Sequence, residues 1–368
     1  MLSQDHKSSM VRRVVLDSMC QNLSSIELRR PPGSDGRCRR LTLKHVLHRG
    51  GCTQCSDSLG LGETPLQEAW RIFQKDRLAL SGLLVLGLLV ATAVAGKVLT
   101  EWIIIFDPAT VRLPDKFLPP FSALSADLIP SLDQPLFGIY LLGTDELGRD
   151  VFARMLQGSF VSLSIGFIAV GISVTIGIIL GGLSGFYGNV KLGFISVDTL
   201  IMRFTDIMLC FPTFFLILTV VALLPPSIYN IMIVIGLTSW MATARFVRAE
   251  FLALREQDFV VAAQALGLPE SRIIFRHMVP NAIAPVLISA TIGVAGAILT
   301  ESGLSFLGFG VQPPDATWGN ILANGRGFIF DAPWLFFIPG LAIFVVVLAF
   351  NLVGEGLREA MNPRLRSR

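Results

Sequence analysis

Residues Asp258 to Asn281 read DFVVAAQALGLPESRIIFRHMVPN, a polar, helix-prone insert between two long apolar stretches. Val260, Val261, Ala265 and Leu268 recur at helical spacing, and Gly267-Leu268-Pro269 then breaks the run. Ile273, Ile274 and Met278 supply a second amphipathic turn, with Arg272 and Arg276 on other faces. A loop that only joins two membrane spans needs neither this length nor this pattern. The expectation is a short helix-turn-helix on an aqueous surface, presenting a face to another protein. A structured loop with no partner is the plainer alternative.

Composition sets the surroundings of this insert. The chain has 368 residues, 52% of them hydrophobic and 15% charged, with a mean hydropathy of +0.64. That lies outside the range of an ordinary soluble domain. Leu78 to Gly96, Ser159 to Tyr187, Asn281 to Thr300 and Ala332 to Gly354 are each long and apolar enough to cross a bilayer. Residues 207–244 carry no charge and are too long for one crossing. Leu223-Leu224-Pro225-Pro226-Ser227 divides them into two spans of roughly 18 residues each. The expected fold is therefore an all-α polytopic membrane protein of about six spans.

The cations orient it. With both termini inside (N-in/C-in), fourteen Lys and Arg of the membrane body fall on the cytoplasmic side and six outside. This places the loop 249–280, and with it the opening stretch, in the cytoplasm. The net charge of +3 hides an asymmetry: residues 1–62 hold ten Lys and Arg against five Asp and Glu.

Residues 1–62 read as a disordered or weakly ordered extension, Arg-rich and broken by Pro31-Pro32-Gly33 and Gly50-Gly51. Cys38, His45, His48, Cys52 and Cys55 form C-x6-H-x2-H-x3-C-x2-C, ligand types that zinc accepts. The spacing fits no standard finger closely, so an unliganded tail is the favoured reading. No cleavable leader is evident in it. A cytoplasmic amphipathic helix is expected over 63–77, with Thr64 as N-cap, Pro65 in the first turn, and Leu66, Trp70 and Phe73 on one face. It should run directly into the first span of a membrane domain covering 78–368. Gly143 to Ser159 reads as turn chemistry leading into a helix whose acidic start suits the helix dipole. Gly177, Gly181 and Gly185, and Gly293 in the fifth span, form small-residue rows that let helices approach closely in lipid.

No catalytic constellation is present. The chain lacks a G-x-x-x-x-G-K-[ST] phosphate loop and should not bind ATP itself. It lacks a His-Glu-x-x-His pair, and His277 is the one histidine outside the tail. An integral membrane enzyme would need His, Asp or Glu clustered at one membrane face. A secondary transporter or channel would need coupling groups deep in its spans. Asp206, Asn281, Glu301 and Asn351 are the candidates for a pathway role, each expected near a span end. No cofactor and no nucleic acid are expected.

The opening stretch resembles the EAA loop of ATP-binding-cassette importer permeases, E-A-A-x3-G-x9-I-x-L-P. Ala262, Ala263, Gly267 and Pro280 match in register, while Val261, His277 and Val279 stand where the pattern has Glu, Ile and Leu. TPLQEAW before the first span, GTDELGRDVFARMLQGS before the second and ESGLSFLGFGVQPPDATWGNIL after the fifth look like the dipeptide/oligopeptide branch. FIPGLAI and LAFNLVGEGLREAMNPRLR at the end do likewise. The resemblance covers about Thr64 to Arg366 and is closest to the "C"-type inner-membrane subunit; residues 1–62 fall outside it.

The resemblance implies a type I importer permease in the bacterial cytoplasmic membrane. It would pair with a second permease subunit, two ATP-binding subunits and an extracytoplasmic substrate-binding protein. ATP hydrolysis would belong to the ATPase partners, whose clefts receive the loop. Ala262, Ala263, Gly267, Leu268, Arg272, His277 and Pro280 would form the coupling element. Gly267 would permit a tight turn, Pro280 would stop the loop helix, and the two alanines would allow close packing at the contact. The expected cargo is a dipeptide or oligopeptide, with nickel, glutathione or a peptide antibiotic as alternatives in the same branch.

Overall fold

A computed structural model describes residues 65–102, 107–124, 138–188 and 190–361. The extension 1–62, the Thr64 cap and the Cys38–Cys55 ligand set lie outside the described residues. Five helices are long and apolar enough to cross a membrane, and a sixth crossing comes from a bent pair.

The first helix, α1 (Pro65–Phe73), does not continue into the membrane. The chain turns at residues 74–76, and Asp76 restarts it by accepting from the Leu78 amide at 2.9 Å. That cap opens α2 (Arg77–Lys97). The expected single helix over 63–77 is thus corrected to a helix, a turn and a new start. Ala69 and Phe73 carry the buried face, while Trp70 is 51% exposed and stacks on Phe73 with ring centroids 5.7 Å apart.

Outside the membrane the chain forms two-stranded β1 (Ser122–Ala123) and β2 (Ile139–Tyr140) before α3 (Val151–Phe186). Asp150 caps α3 by accepting from the Phe152 amide, and the first turn of α3 contains no acid. Asp145 and Glu146 lie before the helix and pair with Arg149, so the acid at the helix start is the Asp150 cap. At 36 residues α3 is about 54 Å long, far more than the ~30 Å hydrocarbon core, so it projects from the bilayer.

A hairpin of β3 (Lys191–Leu192) and β4 (Ile195–Ser196) leads to α4 (Val197–Cys210) and α5 (Thr213–Leu223). These two are bent by 83° at Phe211-Pro212. Proline lacks the amide proton and its ring displaces the carbonyl four residues back. It also drives its predecessor out of the helical region, and Phe211 has φ −87°, ψ 129°. The expected break at Leu223–Ser227 is present, but the span before it is itself broken.

Helices α6 (Ile228–Thr238) and α7 (Trp240–Arg255) together form the fourth crossing. α7 continues to Arg255, beyond the residue 249 at which the cytoplasmic loop was expected to begin. After the insert come α8 (Asp258–Ala265) and α9 (Glu270–Ile273), then the fifth crossing α10 (Val279–Phe306). An outer helix α11 (Trp318–Gly325) and the last crossing α12 (Trp334–Ala360) complete the order.

Helix direction follows from which residues touch. A Cβ built on Gly177 would fall 2.7 Å from the Thr243 side chain, on Gly181 2.4 Å from the Ala244 carbonyl oxygen, and on Gly185 2.5 Å from the Phe251 Cβ. Gly236 meets Ile172 in the same register. Sequence numbers rise together, so α3 runs parallel to α6–α7. Gly166 meets Val294 and Ile298, while Gly293 meets Val170, so α10 runs antiparallel to α3. Gly356 against Ala79 and Gly82 against Val353 make α12 antiparallel to α2. Because α3 and α6–α7 point the same way, residues 187–227 must return across the membrane once, and the bent α4–α5 pair supplies that return. The ends of α3, α7 and α12 and the starts of α2 and α10 therefore share one end of the molecule.

Candidate coupling site

The stretch 258–281 folds on that shared end. Its turn is set by hydrogen bonds that close α8. The Gly267 amide donates to the Gln264 carbonyl at 2.9 Å, and the Leu268 amide to the Ala263 carbonyl at 3.2 Å. These two bonds are the Schellman pattern, which needs a left-handed residue just past the helix. Gly267 fills that position with φ 72°. Pro269 then precedes α9, accepting from the amides of Arg272 and Ile273 at 2.9 and 3.2 Å.

Pro280 does not stop a helix as expected. α9 passes through a π turn at Ile274–Met278 into α10, with the Val279 amide donating to the Ile274 carbonyl. Pro280 is the second residue of α10, directly after the π turn, within one continuous helical path. Asn281 Nδ2 donates to the His277 carbonyl at 2.5 Å, satisfying backbone loosened by the wider turn.

Burial divides the loop in two. Val260, Ala263, Ile273 and Met278 are buried against Phe186, Val247 and Phe251 from the ends of α3 and α7. Leu268 packs partly against the same cluster, the hydrophobic contact that usually accompanies this turn. Two polar braces join the same elements. Arg255 Nη1 donates to the Phe186 carbonyl at 3.2 Å. The Glu270 carboxylate faces the Tyr187 hydroxyl and, followed by burial, raises the tyrosine pKa. The loop is thereby held as a rigid cap on α3 and α7.

The opposite face has no such partner among the described residues. Val261, Leu266 and Phe275 are 51%, 80% and 73% exposed, with Phe259 beside them. Ala262, Gly267, Arg272 and Pro280 are exposed too, and a Cβ on Gly267 would meet nothing within 4 Å. His277 is half-buried. Ala263 lies on the inner face, so of the two alanines only Ala262 is positioned for an outside contact. The exposed large apolar side chains were legible as apolar; which of them faced outward depended on the turn at Gly267.

The four pathway candidates are engaged separately. Asp206 pairs with Arg245 at 2.5 Å on α4 and α7. Asn351 Nδ2 donates to the Val347 carbonyl at 2.9 Å within its own helix. Glu301 lies five residues before the end of α10 at Phe306, and its carboxylate is fully buried. It accepts from Ser305 Oγ at 2.7 Å and Thr317 Oγ1 at 2.9 Å, which ties α10 to the cap of α11.

A second polar cluster went unforeseen at the outer end. Asp145 Oδ2 accepts from Arg149 Nε at 2.7 Å, and Arg154, 2% exposed, lies 3.5 Å from the same oxygen. Tyr140 donates to Asp115 at 2.7 Å, and burial followed by that bond pushes the phenol pKa up. The Asp145–Arg149 spacing of four was the available signal; the long-range partners had none. Burial also lifts the Asp150 carboxyl to about 6, against the amides of Phe152 and Ala153 that hold it down.

A bundle of apolar helices long enough to cross a bilayer, with a structured loop packed on one end, is a multi-pass membrane protein. Residues 173–367 match the family described as binding-protein-dependent transport system inner membrane component, and the chain belongs to that family. Residues 64–120 match the N-terminal transmembrane domain of oligopeptide transport permease C. The dipeptide transport system permease protein of Alkalihalophilus pseudofirmus is 37% identical over 83% of this chain and 91% of its own length. That of Haemophilus influenzae is 38% identical over 83% and 96%. The oligopeptide transport system permease protein of Bacillus subtilis is 35% identical over 82% and 90%.

Proposed function

We propose that this chain is a translocation subunit of an ATP-driven importer of dipeptides or oligopeptides in the cytoplasmic membrane. The named relatives support the cargo class. A second permease subunit completes the pathway, two ATPase subunits power it and an extracytoplasmic binding protein delivers the peptide. The observation that carries the coupling role is the exposed apolar crown of Val261, Leu266 and Phe275 on a cap bonded to α3 and α7. Exposed apolar patches on an aqueous face mark docking sites. Bonded to two spans, this one passes a pull on the crown directly to α3 and α7. The glutamate of the EAA pattern is Val261 here, so docking at that position uses apolar contact rather than a carboxylate.

The test is co-purification with the ATPase subunits and uptake of a labelled dipeptide in cells lacking other peptide importers. Leu266→Asp should abolish both while leaving the permease folded in the membrane. Uptake at the wild-type rate by this variant would overturn the coupling role.

A further inference from the structure

We infer that a cleft between α4 and α7 binds the headgroup of an anionic phospholipid of the cytoplasmic leaflet, with its acyl chains along α4. The cleft has a volume of about 520 Å³ and is lined by Thr199, Arg203, Asp206, Arg245 and Arg248 among others. Its charges are unequally matched. Asp198 is fully engaged, accepting from Arg248 Nε and Nη2 at 2.5 and 2.6 Å and from Ser184 Oγ at 2.5 Å. Asp206 is paired with Arg245. Arg203 is exposed and has no ion-pair or hydrogen-bond partner among the described residues. An anion entering the cleft would meet this unmatched guanidinium, with Arg245 beside it.

The position selects the kind of anion. Leu200, Phe204 and Ile207 follow one another at spacings of four and three, and each is more than half exposed. At 100° per residue they form one stripe on α4. Arg203 falls on the helix surface between that stripe and the cleft-facing Thr199 and Asp206. A ligand that fills both sites is charged at one end and apolar along the other. Arg248 is seven residues from the end of α7, about 10 Å, and the α3–α4 hairpin lies at the same end. This is the depth of a headgroup region on the side of the coupling cap, where basic pockets between helices take anionic lipid.

The experiment is native mass spectrometry of the assembled importer in detergent, with phosphatidylglycerol or phosphatidylcholine added. Phosphatidylglycerol should be retained preferentially. Arg203→Gln should lower that preference about fivefold, the effect of one cation at an anionic surface, and Arg203→Lys should restore most of it. Arg203 has no partner to lose among the described residues, so the variant should assemble normally. Equal retention of the two lipids, or an unchanged preference in Arg203→Gln, overturns the proposal. Displacement of the lipid by inorganic phosphate alone also overturns it, in favour of a soluble anion. A photoreactive phenylalanine analogue replacing Phe204 should label lipid; labelling of the second permease subunit instead would show that a protein covers the stripe and overturn the lipid assignment.

Discussion

A Cβ built on Gly181 would stand 2.4 Å from the carbonyl oxygen of Ala244. The two helices meet backbone to backbone there, in parallel, on the route from the membrane to the coupling cap. Gly181→Ala should force them apart and destabilise the protein by about 1–3 kcal/mol, the usual cost of overpacking. Gly171→Ala on the same helix, where a Cβ meets nothing within 4 Å, should be neutral or slightly stabilising. Thermal unfolding of the two variants in one detergent checks the contrast.

Gly267 separates conformation from contact. Its φ of 72° costs an alanine about 1–2 kcal/mol, while asparagine tolerates it better. Uptake by Gly267→Asn should therefore exceed uptake by Gly267→Ala. The reverse order would show that bulk against a docked partner, and not backbone conformation, limits this position.

Ala263 and Leu266 should fail in different ways. Ala263 is 5% exposed and Leu266 80%. Ala263→Asp buries an unpaired carboxylate in the cluster beneath the cap and should unfold the loop, read as protease cleavage near residues 258–281. Leu266→Asp should leave the cleavage pattern unchanged and lose the ATPase subunits. Loss of protease resistance in both would mean that Leu266 supports the fold rather than the contact.

Asp150 makes an outer-face stability term depend on pH. Burial raises its carboxyl from 3.8 to about 6, so the folded form holds its proton more tightly than the unfolded chain. That contribution is fully present below pH 3.8 and is lost as pH rises through about 6. Asp150→Asn keeps an N-cap acceptor without the charge and should be at least as stable as wild type at pH 7. Its advantage should disappear as the pH falls below the raised value. Unfolding midpoints at several pH values measure it.

Glu301 is tested by comparing stability with transport. Glu301→Ala leaves the Ser305 and Thr317 hydroxyls without their acceptor and should cost about 1–3 kcal/mol. Glu301→Gln retains an acceptor oxygen and should be much milder. If Glu301→Gln unfolds normally yet loses dipeptide uptake, the carboxylate serves the cargo and not only the α10–α11 joint.

Much of the architecture was legible because a bilayer imposes simple rules on composition. Uncharged windows located the spans, and Gly267 announced its turn through the one residue type that accepts positive φ cheaply. Pro212 carried an equally physical signal, yet the absence of charge across 207–244 drew attention to length and away from a proline inside it. The Asp76 cap was masked by a helical pattern that runs unbroken across it. Glu301 and Asp198 were illegible as buried or paired groups, since Thr317 and Arg248 reach them from other elements, and Arg154 meets Asp145 only through the turn ahead of α3.

The order of residues alone specifies a multi-spanning helical protein and a structured insert at 258–281. Each follows from local hydropathy, turn chemistry and helical period, which act within a few residues. Only the tertiary structure decided which side of that insert is free. Val260 and Val261 are neighbours of the same type, yet one is fully buried and the other 51% exposed. The difference arises because the ends of α3 and α7, remote in sequence, meet beneath one face of the loop and leave the other exposed.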